Sequence, residues 1–401
     1  MEEDHEGRVI QMSLRSHLPR TGASWLRATL MVLLVVSCGA SRASAQCRRR
    51  LSPGHAEAAP GERVEALTPR LVAQSGGRVA WYHGTKHELI AYDAISDDKR
   101  KNTEVYVMSP DGSGRRCVTC DSPIAKGFTG QPDWHPDGDY ILLQAENKNS
   151  AHKFYNHMAW GVDADIWIIN KDGSGARKIW DTPKGYAALH PHFNKNGTLL
   201  VFAERVPTGK VIPGMRALTP GGENHWDGWR IHLASVNLKA EGASVLGHHR
   251  TLAPNGGGIY ETHGFTADGR LVYAHTDGGR AYMDDVFVAN PDGSGVKNLT
   301  NSPSSWEEHG QYSSGGDFAF ISSRFDTRLR FPRSKVAQLR TELFLQKRGG
   351  SPVQMTDMNA RKGRRIVVSD YDWDREGKRI AFQVAALDGS VNPEIWMIQL
   401  P

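Results

Sequence analysis

Trp134-His-Pro-Asp137-Gly138-Asp-Tyr-Ile141-Leu-Leu143 is the stretch on which the fold turns: an aromatic residue, a glycine four places on behind an acid, then a short apolar run. A turn former followed by glycine between two apolar runs spells a tight hairpin, because glycine enters the backbone region such turns require at no steric cost. The spelling returns at Phe193/Gly197, Phe265/Gly269, Tyr312/Gly316 and Trp373/Gly377. Apolar strands follow at Leu200-Val-Phe202, Leu271-Val-Tyr273, Phe318-Ala-Phe320 and Ile380-Ala-Phe382, and a degenerate earlier copy ends in Ile90-Ala-Tyr92.

A third strand recurs as an acid followed by alternating bulky residues: Glu104-Val-Tyr106, Asp165-Ile-Trp167, Asp285-Val-Phe287, Glu342-Leu-Phe344 and Glu394-Ile-Trp396, with Arg230-Ile-His232 deviating. Asp-Gly-Ser-Gly turns at 111–114, 172–175 and 292–295 lead into fourth strands such as Lys297-Asn-Leu-Thr300 and Val353-Gln-Met-Thr356. Four antiparallel strands repeated six times predict an all-β fold, a six-bladed β-propeller over residues 62–401. The last unit stops at Pro401 after its third strand. Val64-Glu-Ala-Leu67-Thr68-Pro69 reads like Val296-Lys-Asn-Leu299-Thr300 with the later Pro303, so an N-terminal strand at 64–68 is expected to complete the final blade.

Residues 25–40 form a short apolar stretch preceded by Arg15, Arg20 and Arg27 and followed by Ala43-Ser-Ala45. This predicts a signal peptide over 1–45, a disordered lead-in over 46–61, and a periplasmic or extracellular protein without a membrane span. The start at Met1 or Met12 stays open. A second reading makes Val35-Val-Ser-Cys38 a lipobox, giving a lipid anchor on an acylated Cys38. In an oxidising compartment Cys117-Val-Thr-Cys120 reads as a local disulfide, a redox pair or half a metal site. The net charge of +5 and the lack of a basic run with interleaved aromatics exclude a nucleic-acid partner.

Propeller geometry sends the second-to-third loops and the blade connections to one face, where the long insertions 147–163, 205–228 and 322–341 all fall. They carry His157, His225, Trp226 and Arg330. The inner strands begin at the same mouth with polar residues two apart, hence on one strand face: Gln131/Asp133, His190/His192, Glu261/His263, Glu307/His309 with Glu308 between, and Asp370/Asp372. Histidine with carboxylate is ligand chemistry for a divalent Mn, Zn or Fe, with His190, His192, His263 and His309 as candidate ligands. A polar, water-filled channel is the alternative. The distance from histidine to hairpin glycine differs by one residue between blades, so the imidazoles converge only if the strands carry bulges.

The repeat motifs resemble the TolB-type, WD-like propeller family, which implies the six-bladed fold. No Gly-x-Ser-x-Gly elbow is present, so serine-peptidase chemistry is not expected. His190-Pro-His192 ahead of Phe193 resembles the oligogalacturonate lyases, which implies a manganese-type ion and proton abstraction from an acidic sugar. Two functions are therefore expected in parallel. One is a binding module that grips a protein or polysaccharide ligand with the long-loop face. The other is a metal-dependent, uronate lyase-like carbohydrate-active enzyme, with His225 as base and Glu261, Glu307, Glu308, Asp133, Asp370, Asp372, His157, Trp226 and Arg330 lining the ligand site.

Overall fold

The computed structural model describes residues 67–96, 102–124, 127–152, 160–210, 227–276, 284–329, 338–363, 365–386 and 392–401. The expected signal peptide and lead-in, Cys38, His157, His225, Trp226 and Arg330 lie outside them. Six four-stranded antiparallel sheets stand in a ring, each built from consecutive strands except the last. Blade 1 spans 79–117, blade 2 129–180, blade 3 187–252, blade 4 259–298, blade 5 307–354 and blade 6 367–399.

The second strand of each blade is sandwiched between neighbouring sheets, which explains why both of its faces are apolar. Ile141, Leu142, Leu143, Leu200, Val201, Phe202, Ile380, Ala381 and Phe382 are all fully buried. Each large side chain so covered contributes about 1.5–3 kcal/mol. The fourth strands are short or exposed, as at Lys297–Asn298 and Leu246–Leu252. The Asp-Gly-Ser-Gly turns repeat one device: Asp111, Asp172 and Asp292 each accept both the backbone N–H and the hydroxyl of the serine two residues on, at 2.6–2.9 Å.

The acid that opens the third strand is a structural latch. Glu104 accepts the Thr119 hydroxyl at 2.5 Å, Asp285 the Thr300 hydroxyl at 2.8 Å and Glu342 the Thr356 hydroxyl at 2.6 Å, tying the third strand to the chain leaving the fourth. Glu342 also accepts the backbone N–H groups of Met358 and Asn359 and the Asn359 amide. Glu342→Ala leaves these buried donors unanswered and is expected to cost roughly 3 kcal/mol. Urea unfolding checks this as a lower midpoint at unchanged slope.

The ring is closed by an N-terminal strand, as expected, at Arg70–Ala73; of the expected 64–68, residues 64–66 lie outside the described ones and Leu67 and Thr68 precede the strand. Arg70–Ala73 pairs with Glu394–Gln399, with Arg70 opposite Met397 and Leu71 opposite Trp396. Pro69 has no N–H to give a ladder, so it stands ahead of the strand instead of ending it. Leu67 packs on the blade 6 core, and Arg70 donates to Pro110 O in blade 1 at 2.7 Å. Cys117 and Cys120 are joined as a disulfide, which leaves no thiolate there for a metal. No helix among the described residues is long and apolar enough to cross a membrane.

Candidate metal centre

Five of the inner strands break register at one place: between Gly130 and Asp133, Leu189 and His192, Thr262 and Phe265, Glu308 and Gln311, and Ser369 and Tyr371. These are the bulges that the unequal spacing requires. At three of them a residue with a side chain holds a left-handed backbone: Gln131 at φ 55°, His190 at 50° and His309 at 49°. Such a conformation costs about 1–2 kcal/mol per residue and persists where its surroundings over-determine it. At His190 the surroundings do so. Its N–H donates to Gln144 Oε1 at 3.3 Å, and its carbonyl accepts the Thr262 hydroxyl at 2.7 Å. The Gln131 N–H donates to Asp93 Oδ2 at 3.0 Å.

Blade 1 has the same position in disguise. Phe193 N–H donates to Asp133 Oδ2 of the preceding blade at 2.7 Å, and Trp81 N–H donates to Asp372 Oδ2 in the same way at 2.7 Å. Trp81 thus takes the aromatic's place, and Arg78, three residues earlier, takes that of His190. The six blades contribute Arg78, Gln131, His190, His263, His309 and Asp370, each more than nine-tenths buried. The rings of His263 and His309 lie 4.8 Å apart, those of His190 and His309 5.6 Å and those of His190 and His263 5.9 Å. Gln131 Nε2 stands 3.0 Å from His190 Nε2, and Asp370 Oδ1 lies 3.7 Å from His309 Nδ1 and 3.6 Å from Arg78 Nε.

Burial first, then the proximity of the other imidazoles, holds His190 and His263 well below the ordinary histidine range. His309 is lowered by burial against the pull of Asp370. Neutral imidazole is the form that binds a metal. One ligand atom from each of the three lies within 4.8 Å of the others, and His263 Nε2 is buried with no hydrogen-bond partner. A second group, Glu261, Glu308 and His309, meets the same distance limit. Burial and the neighbouring Asp284 and Asp370 push Glu261 up to about 8, while burial and Glu261 hold Glu308 well above the carboxylate range. The donor set fits a divalent transition ion: three nitrogen ligands with carboxylates beside them.

The other expected residues are placed elsewhere. His192 lies outside both groups, with Nδ1 3.8 Å from Asp133 Oδ2, and burial lowers it to about 4. Asp133 and Asp372 staple neighbouring inner strands through Phe193 and Trp81. Glu307, fully buried, is forked by Arg324 at 2.5 and 2.6 Å and accepts the Ser322 hydroxyl. Arg78, Gln144, Thr262 and Asp284 were not picked out by sequence reasoning. Arg78 has no hairpin glycine behind its aromatic to flag it, and Gln144 and Thr262 act through the backbone of another blade.

The protein is a six-bladed β-propeller with a histidine-bearing polar ring at its channel. No family model matches the sequence. The chain is similar to an uncharacterized protein of Agrobacterium fabrum (strain C58), 22% identical over 271 residues that cover 63% of this chain and 83% of that one. Among solved structures it is similar to TolB from Acinetobacter baumannii, at 14% identity and a TM-score of 0.45, covering 74% of this chain. The chain spans only 59% of that TolB's length. It is also similar to an oligogalacturonate lyase in complex with manganese, at 11% identity and a TM-score of 0.45, covering 86% of this chain and 98% of that one. Likeness at these levels concerns the fold.

Proposed function

We propose that this chain is an exported, metal-dependent enzyme that carries out acid–base chemistry on an acidic sugar at the mouth of the propeller channel. One observation carries the reading: three neutral imidazoles from successive blades converge within ligand distance, two of them on left-handed backbone. His190, His263 and His309 would hold the ion, with Asp370 and Glu308 beside them. When bound, such an ion supplies Lewis acidity that acidifies a carbon next to a carboxylate. Glu261 and Glu308 stand together beside His309, where desolvation and the proximity of like charges disfavour double ionisation, so one carboxylic acid is available to donate a proton while its neighbour accepts one. That pairing suits elimination or proton transfer. The binding-module reading rests chiefly on insertion residues outside the described ones, and no described feature favours it over the ring. The Cys117–Cys120 disulfide supports an oxidising compartment.

The test is metal analysis of the purified full chain. About one Mn, Zn or Fe per chain is expected. Chelation should lower the melting temperature by about 5–10 °C, since a ligand at 1,000 times its Kd contributes roughly 4 kcal/mol. A metal-free protein whose melting temperature responds neither to chelator nor to added Mn, Zn or Fe overturns the reading.

A further inference from the structure

Arg78 is a buried cation whose N–H donors are largely unanswered, although Asp370, Asp93 and Glu261 stand near enough to feel its charge. The residue is 8% exposed, and its Nε and Nη1 reach no hydrogen-bond acceptor. Among the described residues its one ion-pair contact is Asp370, at 3.6 Å from Nε, and that carboxylate is also approached by His309 at 3.7 Å. The other ring members are an amide and three imidazoles, none of which carries a negative charge. Burying a guanidinium without a full set of acceptors costs several kcal/mol, and an apolar side chain of similar volume would avoid that cost. The position is also fixed with care. Arg78 N–H donates to Asp93 Oδ1, whose other oxygen accepts Gln131 N–H, so one carboxylate sets the backbone of two adjacent ring positions.

The charge also stands beside the histidines, since Asp370 Oδ1 lies 3.6 Å from Arg78 Nε and 3.7 Å from His309 Nδ1. A cation placed beside a cationic metal site opposes metal binding unless an anion arrives to bridge the two. A ligand anion supplies the acceptors that Nε and Nη1 lack, since Asp370 is shared with His309 and Asp93 is engaged by the backbone N–H groups of Arg78 and Gln131.

We propose that Arg78 is the anion fork of this site, receiving the carboxylate of a small ligand whose other face meets the ion held by His190, His263 and His309. The proposal rests on the metal reading above and names the group that selects an acidic ligand. A carboxylate fits better than a neutral sugar hydroxyl because a planar guanidinium donates parallel N–H bonds to its two oxygens. Arg78 is here a binding residue, with no proton to give or take.

The experiment titrates D-galacturonate, D-galactose and inorganic phosphate into the full-length wild type, Arg78→Gln and Arg78→Lys by calorimetry, with metal content and melting temperature measured alongside. The wild type should bind galacturonate at least about 10-fold tighter than galactose. Arg78→Gln should lose roughly 30-fold in galacturonate affinity, as expected when a charged hydrogen-bond partner is removed. Its metal content should be unchanged, and its ligand-free melting temperature equal to or above that of the wild type. Arg78→Lys should recover part of the affinity. No galacturonate binding by the wild type, wild-type affinity in Arg78→Gln, or phosphate bound more tightly than galacturonate overturns the proposal. So does an Arg78→Gln variant that melts lower and loses its metal, which assigns Arg78 to the framework. A metal-free wild type that binds galacturonate through Arg78 sinks the metal reading and leaves the fork standing.

Discussion

His263→Ala is expected to abolish the proposed metal binding: the variant should purify with less than about 0.1 ion per chain, and its affinity for added Mn or Zn should fall by more than 100-fold, the upper end for losing even an outer partner of a ligand. What makes this substitution informative is the state of His263 in the ring. Its Nε2 is buried and bonded to nothing, so in the metal-free protein the side chain contributes little beyond packing. The metal-free variant should therefore melt within about 2 °C of the metal-free wild type, or above it, as happens when a functional side chain is removed from a destabilised site. The stabilisation that metal gives the wild type should vanish in the variant. His192→Ala serves as the control, because that ring stands outside both ligand groups and should leave metal content unchanged. A large loss of stability in metal-free His263→Ala, with no metal in the wild type, would instead make the ring a structural polar network.

What could be read from the sequence follows from how each feature is encoded. Hairpins and second strands are local: Asp111, Asp172 and Asp292 bond to a serine two residues away, so the motif contains its own cause. The ring positions in blades 2–6 stand at near-fixed distance from an aromatic and a hairpin glycine, which made Gln131, His190, His263, His309 and Asp370 visible. The bulges showed only as an inconsistency of one residue at His263. Their cause is non-local, since Gln144 from one blade and Thr262 from another hold His190 in place. Arg78 was hidden for the same reason. Its equivalence to the histidines appears only when Trp81 is seen bonded to Asp372, 291 residues away. Glu307 shows the reverse error: its spacing puts it among the mouth residues, but Arg324 and Ser322 engage it.

Removal of the closing strand should have the largest effect on stability. A chain that starts at Gln74 is expected to melt about 5–10 °C below one that starts at Leu67. The two differ by Leu67, packed on the blade 6 core, and by Arg70–Ala73 on the edge of Glu394–Gln399. Pairing of four residues, burial of one leucine and the Arg70–Pro110 bond together contribute about 5 kcal/mol, and a domain of this size shifts about 1–2 °C per kcal/mol. Side-chain links between blades 6 and 1 remain, among them Asp372 to Trp81 and Arg379 to Glu88. They join the sheets without covering the open strand edge. An exposed edge of six residues is a template for pairing with another chain, so the shortened protein should also self-associate as its concentration rises. A synthetic peptide of residues 67–74 added in trans should restore both the melting temperature and the monomer, because it supplies the missing strand without a covalent link. Should the Gln74 start melt within 2 °C of the longer chain, the closure would contribute nothing and the ring would be held by blade-to-blade packing alone.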